Sequence, residues 1–273
     1  MKLWMSADIE GVAGQVHPQD GLPGGPFYGE GRGWMTGEVV AACEAARAAG
    51  VDGMTIADGH GLGRNLILEQ LPEWVDVVTS WPRPLLIAQG AETQNYDGAV
   101  LLGHHARAGT KGALLAHTIH GARFIKITVN GELASETSLH AAVLGDLGIP
   151  VIMVSGDDAY CGQAREILGD VETVVTKHAY GYQSALTVPP KRARTMIAAG
   201  MTRAIGRIRD FAPLKTSGPY EVEAVMLRPV EAELYGYLPF IDHHEGNAIT
   251  FSTQTAAELV QILMFMAAMK CET

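Results

Sequence analysis

The sequence predicts an α/β protein: a largely parallel sheet flanked by helices, with a smaller α+β portion at the carboxyl end. Three observations predict it. Apolar runs that read as buried strands alternate with helical patterns through about residue 170. Several of these runs end on acids or histidines, as strands do when their carboxyl ends face a crevice. Beyond that point the rhythm changes. The chain therefore divides into an α/β part over residues 1–170 and an α+β part over 171–273, packed on the first and available for oligomerisation.

Residues 2–7 form an apolar run rich enough for a central strand. The loop over 17–27 is dense in Gly and Pro, so a ligand or a neighbour is expected to shape it. Residues 34–49 have helical periodicity, and Gly50 suits the left-handed position that closes a helix. Strands are expected over 53–57, 75–79 and 99–102. Residues 124–129 alternate at period two before the tight turn Asn130-Gly131. Ser135 caps a helix to about Leu147, Gly148 stops it, and Pro150 precedes a strand over 151–154. Gly156-Asp157-Asp158 then opens a helix to Leu168 with an acidic first turn. The second part has a helix over 191–209, strands over 221–226 and 247–253, and a final helix from about Ala256.

Composition narrows the function. A chain of 273 residues with 47% hydrophobic and 18% charged residues has a well-filled core and is not disordered. Its net charge of -10 argues against nucleic acid and anionic membrane surfaces as partners. The low charged fraction also points to apolar surface buried between subunits. Cys43, Cys161 and Cys271 lie far apart without a CxxC pair, as reduced thiols in a cytoplasmic protein do. Nothing at the amino end reads as a secretory signal. The apolar stretch 259–269 is too short to span a bilayer and carries Gln261, so a buried helix is expected there.

The chemistry begins at Ser6-Ala7-Asp8-Ile9-Glu10-Gly11, where two carboxylates stand at the mouth of a buried strand. Such acids need a cation, several hydrogen-bond donors or a proton. Helix capping, or pairing with Arg32 or Arg107, would serve. His60 in Asp58-Gly59-His60 and His105 in Gly103-His104-His105 also end apolar runs. Carboxylates and imidazoles gathered at strand ends form a metal site. Oxygen and nitrogen donors suit Zn2+ at about 2.0–2.2 Å, and Mn2+ or Co2+ also fit. One carboxylate bridging two metals about 3.5–4 Å apart is the usual construction of a two-metal hydrolase. Asp58 is expected to serve the turn or support a ligand. Of His104 and His105, one faces the site and the other turns away.

These residues resemble the M55 peptidase family, the D-aminopeptidases of the dipeptide-transport-operon type. The resemblance spans nearly the whole chain. It adds Ala116-His117-Thr118, Ser135-Glu136 and Gly156-Asp157-Asp158 to the motifs above, and its pattern Gly-x-His-Ala-Arg-Ala selects His105 over His104. It implies two zinc ions per subunit bridged by Asp8, with Glu10 and His105 on one ion and His60 and Glu136 on the other. It implies His117 as the catalytic histidine, acting as nucleophile, acid/base or oxyanion stabiliser. It also implies hydrolysis of short peptides with a free amino terminus, D-alanyl ones among them, and a self-compartmentalising ring of ten subunits. Where the family has Gly-Glu-Leu, this chain has both Gly131-Glu132-Leu133 and Ser135-Glu136-Thr137, so Glu136 departs slightly from the pattern. Gap-free counting back from Pro150 selects Glu136, with Glu132 as its rival.

Two other classes compete. A metallophosphoesterase-like hydrolase uses similar ligands but adds an Asn-His-Asp segment and basic groups for phosphate, neither of which stands out. A non-catalytic metal-binding ring scaffold is the third. Among other histidines, His17 is a candidate for the substrate entrance and His243-His244-Glu245 for a remote metal-like set, while His120, His140 and His178 are expected to be structural. Lys177 is a candidate for sensing a substrate carboxylate.

Overall fold

A computed structural model describes residues 1–269. β1 (Lys2–Ala7), α1 (Tyr28–Ala48), β2 (Gly53–Asp58), β3 (Val75–Val78) and β4 (Gly98–His104) come first. β5 (Phe124–Val129), β6 (Glu132–Leu133), α2 (Glu136–Asp146), β7 (Val151–Asp157), α3 (Asp158–Leu168), β8 (Glu172–Gly181) and β9 (Ser184–Thr187) follow. α4 (Pro190–Gly206), β10 (Tyr220–Met226), α5 (Pro229–Tyr235), β11 (Asp242–His243), β12 (Ala248–Thr253) and α6 (Ala256–Ala268) complete the described chain.

The first sheet has the strand order β3-β2-β1-β4-β7-β8-β9 and is parallel except for the β8–β9 hairpin. In β1, Leu3 and Met5 join a core with Met35 and Val39 of α1 and Ile197 and Met201 of α4. Trp4 points the other way, into a core with Leu144 of α2 and Tyr160 and Cys161 of α3. This period-two division covers the sheet with helices on both faces. Each fully buried large apolar side chain contributes about 1.5–3 kcal/mol. From β1 the chain builds β2 and β3 to one side, then β4, β7 and β8 to the other. The reversal lies between β1 and β4 and opens a crevice at their carboxyl ends.

The second sheet is antiparallel, in the order β11-β12-β10-β5-β6. Buried and open positions alternate along β10, which packs Val222, Ala224 and Met226 inward with Leu259 and Leu263 of α6. Its outer face carries pairs such as Lys126 with Glu223 at 2.5 Å.

Some expectations needed revision. α1 starts at Tyr28, six residues before the expected 34, despite Gly29, Gly31 and Gly33. Glycine disfavours a helix interior, but Gly31 packs so closely that an added Cβ would lie 3.0 Å from Gln15 Oε1. Sheet membership crosses residue 170 in both directions: β5 and β6 lie in the second sheet, β8 and β9 in the first. β5 is drawn out of the parallel sheet by pairing with β10, Val129 opposite Val222. Cys43 and Cys161 are buried free thiols, which burial pushes up to about 12; Cys271 lies outside the described residues. No helix among them is long and apolar enough to cross a membrane.

Candidate active site

The crevice at the strand reversal gathers the predicted residues. Asp8 and Glu10 follow β1, His60 follows β2, His105 follows β4, and Glu136 opens α2 behind the Ser135 cap. Two glycines allow the strand ends to meet. Asp8 N donates to Leu102 O at 2.9 Å and Gly11 N to Gly103 O at 2.6 Å. A Cβ on Gly11 would lie 2.1 Å from His104 O, and one on Gly103, at φ +73°, 2.3 Å from Asp8 O. Any side chain at either position would push β1 and β4 apart.

Around Asp8 the donors form two groups. His60 Nδ1 lies 3.3 Å from Asp8 Oδ1 and 2.8 Å from Glu10 Oε2. His105 Nε2 lies 3.5 Å from both Asp8 Oδ2 and Glu136 Oε1. Within each of the sets Asp8–Glu10–His60 and Asp8–His105–Glu136, the donor atoms sit within 4.8 Å of one another. A third set, Glu10–His105–His117, meets the same 4.8 Å limit, so Glu10 is in reach of His105, as the resemblance implies, as well as of His60. β2 and β4 flank β1 on opposite sides, so their histidines approach Asp8 from opposite sides.

The outer nitrogens matter as much. His60 Nε2 donates to Gly21 O at 2.8 Å and His105 Nδ1 to Ala106 O at 3.0 Å. A carbonyl only accepts, so each proton sits outside and each remaining nitrogen is turned into the cluster. Imidazoles held in this way are prepared as metal ligands. Among the described residues, the ion-pair partners of Asp8, Glu10 and Glu136 are histidines only. Burial and the nearby Glu10 carboxylate push the Asp8 carboxyl up to about 8. Burial also opposes charge on Glu10, yet His60 holds it well below the usual carboxylate range. Burial opposes charge on His105 too, but Glu136 leads the carboxylates that raise it to about 10. Carboxylates this crowded attract cations, and their oxygen and nitrogen donors fit zinc.

His117 joins them from the loop after β4. Its Nε2 lies 3.9 Å from Glu136 Oε1, and its ring stacks on His105 with centroids 3.9 Å apart. Nδ1 donates to Leu115 O at 2.9 Å, leaving the Nε2 lone pair toward the cluster. Burial, then the charge of His105, lowers its pKa. Left-handed backbone at Leu115 (φ 52°) and Ile119 (φ 63°) flanks it, a strain typical of functional loops. Asp157, besides capping α3, accepts Leu114 N at 2.7 Å and so anchors this loop.

The other candidates fall elsewhere. Glu132 is exposed on β6 and only Glu136 reaches the cluster. His104 belongs to none of the donor groups: its Nε2 lies 3.1 Å from Ser6 Oγ, its ring stacks on Tyr160 and its Nδ1 is 3.7 Å from Asp8 Oδ2. Asp58 accepts Asn65 and Leu66 amides and serves its turn. His17 caps the turn at Pro18–Gly21, and His243, His244 and Glu245 are exposed outside the cavity. His120 and His140, expected to be structural, both line the cavity. Lys177 is corrected most. It is 1% exposed and donates to the carbonyls of Glu10, Val12 and Gln15, so it holds the loop after β1 and is closed to any substrate. Glu38, which accepts Ala13 N at 3.0 Å, supports the same loop and went unnoticed in the sequence. Neither contact leaves a local signal, since 167 residues separate Lys177 from Glu10.

The cavity over the cluster measures about 730 Å³. Buried carboxylates and imidazoles at the switch point of a doubly wound sheet define the class as metallohydrolase. The chain belongs to the M55 peptidase family of D-aminopeptidases, whose profile matches residues 1–265, and is a metallo-aminopeptidase. It is 27% identical over 274 residues to a D-aminopeptidase of Bacillus subtilis (strain 168), covering 100% of this chain and 99% of the relative. The solved structure of the Zn-dependent D-aminopeptidase DppA from Bacillus subtilis, a self-compartmentalizing protease, is similar with a TM-score of 0.90. That likeness has 25% sequence identity and covers 99% of this chain and 100% of that one.

Proposed function

We propose that this aminopeptidase hydrolyses short peptides with a free amino terminus, D-alanyl di- and oligopeptides among them, using two zinc ions per subunit. The observation that carries this reading is the pair of donor groups sharing Asp8. Asp8 would hold both ions, with Glu10 and His60 completing one set and His105 and Glu136 the other. When bound, two such ions lower the pKa of water toward about 7 and polarise the scissile carbonyl.

The chain's own groups supply the rest. A free amine at the substrate's end would be held by an ion or by a carboxylate of the cluster, which favours cleavage at the amino end. His117 is neutral near pH 7, because burial and His105 lower its pKa. With Nδ1–H tied to Leu115 O, its Nε2 is free to take a proton and pass it to the leaving amine. The D-aminopeptidase relatives support the stereochemistry, and the self-compartmentalizing relative supports a homo-oligomer, a decameric ring by resemblance. Exposed Tyr237 and Phe240 support an assembly role for the 171–273 part, and the buried free cysteines support a cytoplasmic setting.

The test is a zinc-loaded sample assayed against D-Ala-D-Ala, L-Ala-L-Ala amide and p-nitrophenyl phosphate, with elemental analysis. Two zinc ions per chain and cleavage of D-Ala-D-Ala are expected. Turnover of the phosphate ester alone would replace the peptidase reading, and silence on all three with full metal would leave a scaffold.

A further inference from the structure

The cavity is chemically lopsided. Its ionisable groups are three carboxylates, five histidines and Tyr182, and no lysine or arginine among the described residues lines it. Much of the remaining wall comes from the other half of the molecule. Trp81, Leu86, Ile119, Met264 and Ala267 line the cavity and belong to, or pack against, the core of the second sheet. Ile87, 5% exposed beside Leu86, adds to this wall. At about 730 Å³ the space lies within the range that holds a drug-sized ligand, about 300–1,000 Å³.

We infer that this wall makes the enzyme selective for peptides with a large apolar residue after the scissile bond and an uncharged carboxyl end. The inference rests on the aminopeptidase reading. A substrate amino group held at the cluster of Asp8, Glu10 and Glu136 leaves the rest of the peptide to run along the apolar wall. There an isobutyl or benzyl side chain displaces water from Trp81, Ile87 and Met264, a gain that grows with each buried methylene. A terminal carboxylate in the same place loses hydration and meets no lysine or arginine. D-Ala-D-Ala, with a methyl group and a free carboxylate, uses the wall poorly.

The experiment uses the full-length, zinc-loaded protein. kcat/KM is measured for D-Ala-Leu-NH2, D-Ala-Phe-NH2, D-Ala-Ala-NH2 and the corresponding free acids. Binding of leucinamide, alaninamide and leucine is followed by calorimetry, which needs no turnover. Leucyl and phenylalanyl amides should exceed the alanyl amide by about tenfold or more. Each amide should exceed its free acid, and leucinamide should bind most tightly. Met264→Lys, at a partly open position on α6, should reverse the order of amide and acid. Equal rates for alanyl and leucyl amides, or free acids matching amides, would overturn the inference and leave the aminopeptidase reading intact. Absence of all peptide cleavage would remove the aminopeptidase reading. The calorimetry would then decide the wall alone, with equal binding of leucinamide and alaninamide counting against it.

Discussion

Along β1, β4 and β7 nearly every residue is buried, whereas buried and open positions alternate along β10. The first pattern belongs to strands covered by helices on both faces, the second to a sheet with one face in water. The difference reaches into the site. Strands sealed on both faces deliver Asp8, His60 and His105 into a crevice where a buried carboxylate needs a cation beside it or takes up a proton. The half-open second sheet keeps its outer face polar and turns only its apolar core toward the cavity. The first sheet thus supplies the carboxylate and histidine pole, while loop residues and α6, packed on the core of the second sheet, supply an apolar wall. The pole rests on glycine contacts and buried polar supports with little tolerance; the wall depends on bulk and apolarity.

Substitutions should separate these two regions, the largest effects falling at the pole. Asp8→Ala removes the residue common to both donor groups. Zinc content should fall, with kcat/KM lower by more than about 10³-fold, while α-helical circular dichroism persists. His117→Ala should keep the zinc content of the unaltered protein by elemental analysis and lower kcat by about 10²–10⁴-fold; normal turnover in a fully metallated variant would remove His117 from the mechanism. Gly103→Ala tests the supports. Forcing a Cβ against Asp8 O should cost about 1–3 kcal/mol in urea unfolding and weaken zinc binding about 10–100-fold.

The smallest effect concerns Glu38 beneath the loop after β1. Burial raises its carboxyl from 4.5 to about 7. Because the folded-state pKa is raised, its stabilising contribution is complete below pH 4.5 and is lost as pH rises through 7. That loss amounts to at most about 3 kcal/mol. Glu38→Gln keeps an acceptor for Ala13 N and should flatten the fall in Tm between pH 5 and pH 8 measured on the loaded protein. An unchanged slope would show that Glu38 does not titrate there.

Much of the site was legible early because its signals are local. Asp8-Ile9-Glu10 follows an apolar run, His60 and His105 end others, and Ser135 carries its cap just before Glu136. Where signals were not local, the sequence fell short. Lys177 looked like a substrate sensor because a lone lysine near a strand says nothing of the three carbonyls that enclose it. Residues 124–129 have the period of a strand, but their partner β10 lies about a hundred residues on, so their sheet was out of reach.

The sequence by itself determined most of the strands and helices around the site, though not the start of α1, and that acids and imidazoles stand at strand ends. Those features depend on periodicity and capping within a few residues. Only the tertiary structure decided that Asp8 is shared between His60 with Glu10 and His105 with Glu136, that Glu136 and not Glu132 reaches the cluster, and that an apolar wall faces it. Strand order, the glycine contacts at Gly11 and Gly103, and the packing of α6 decide these, because each joins residues far apart in the chain.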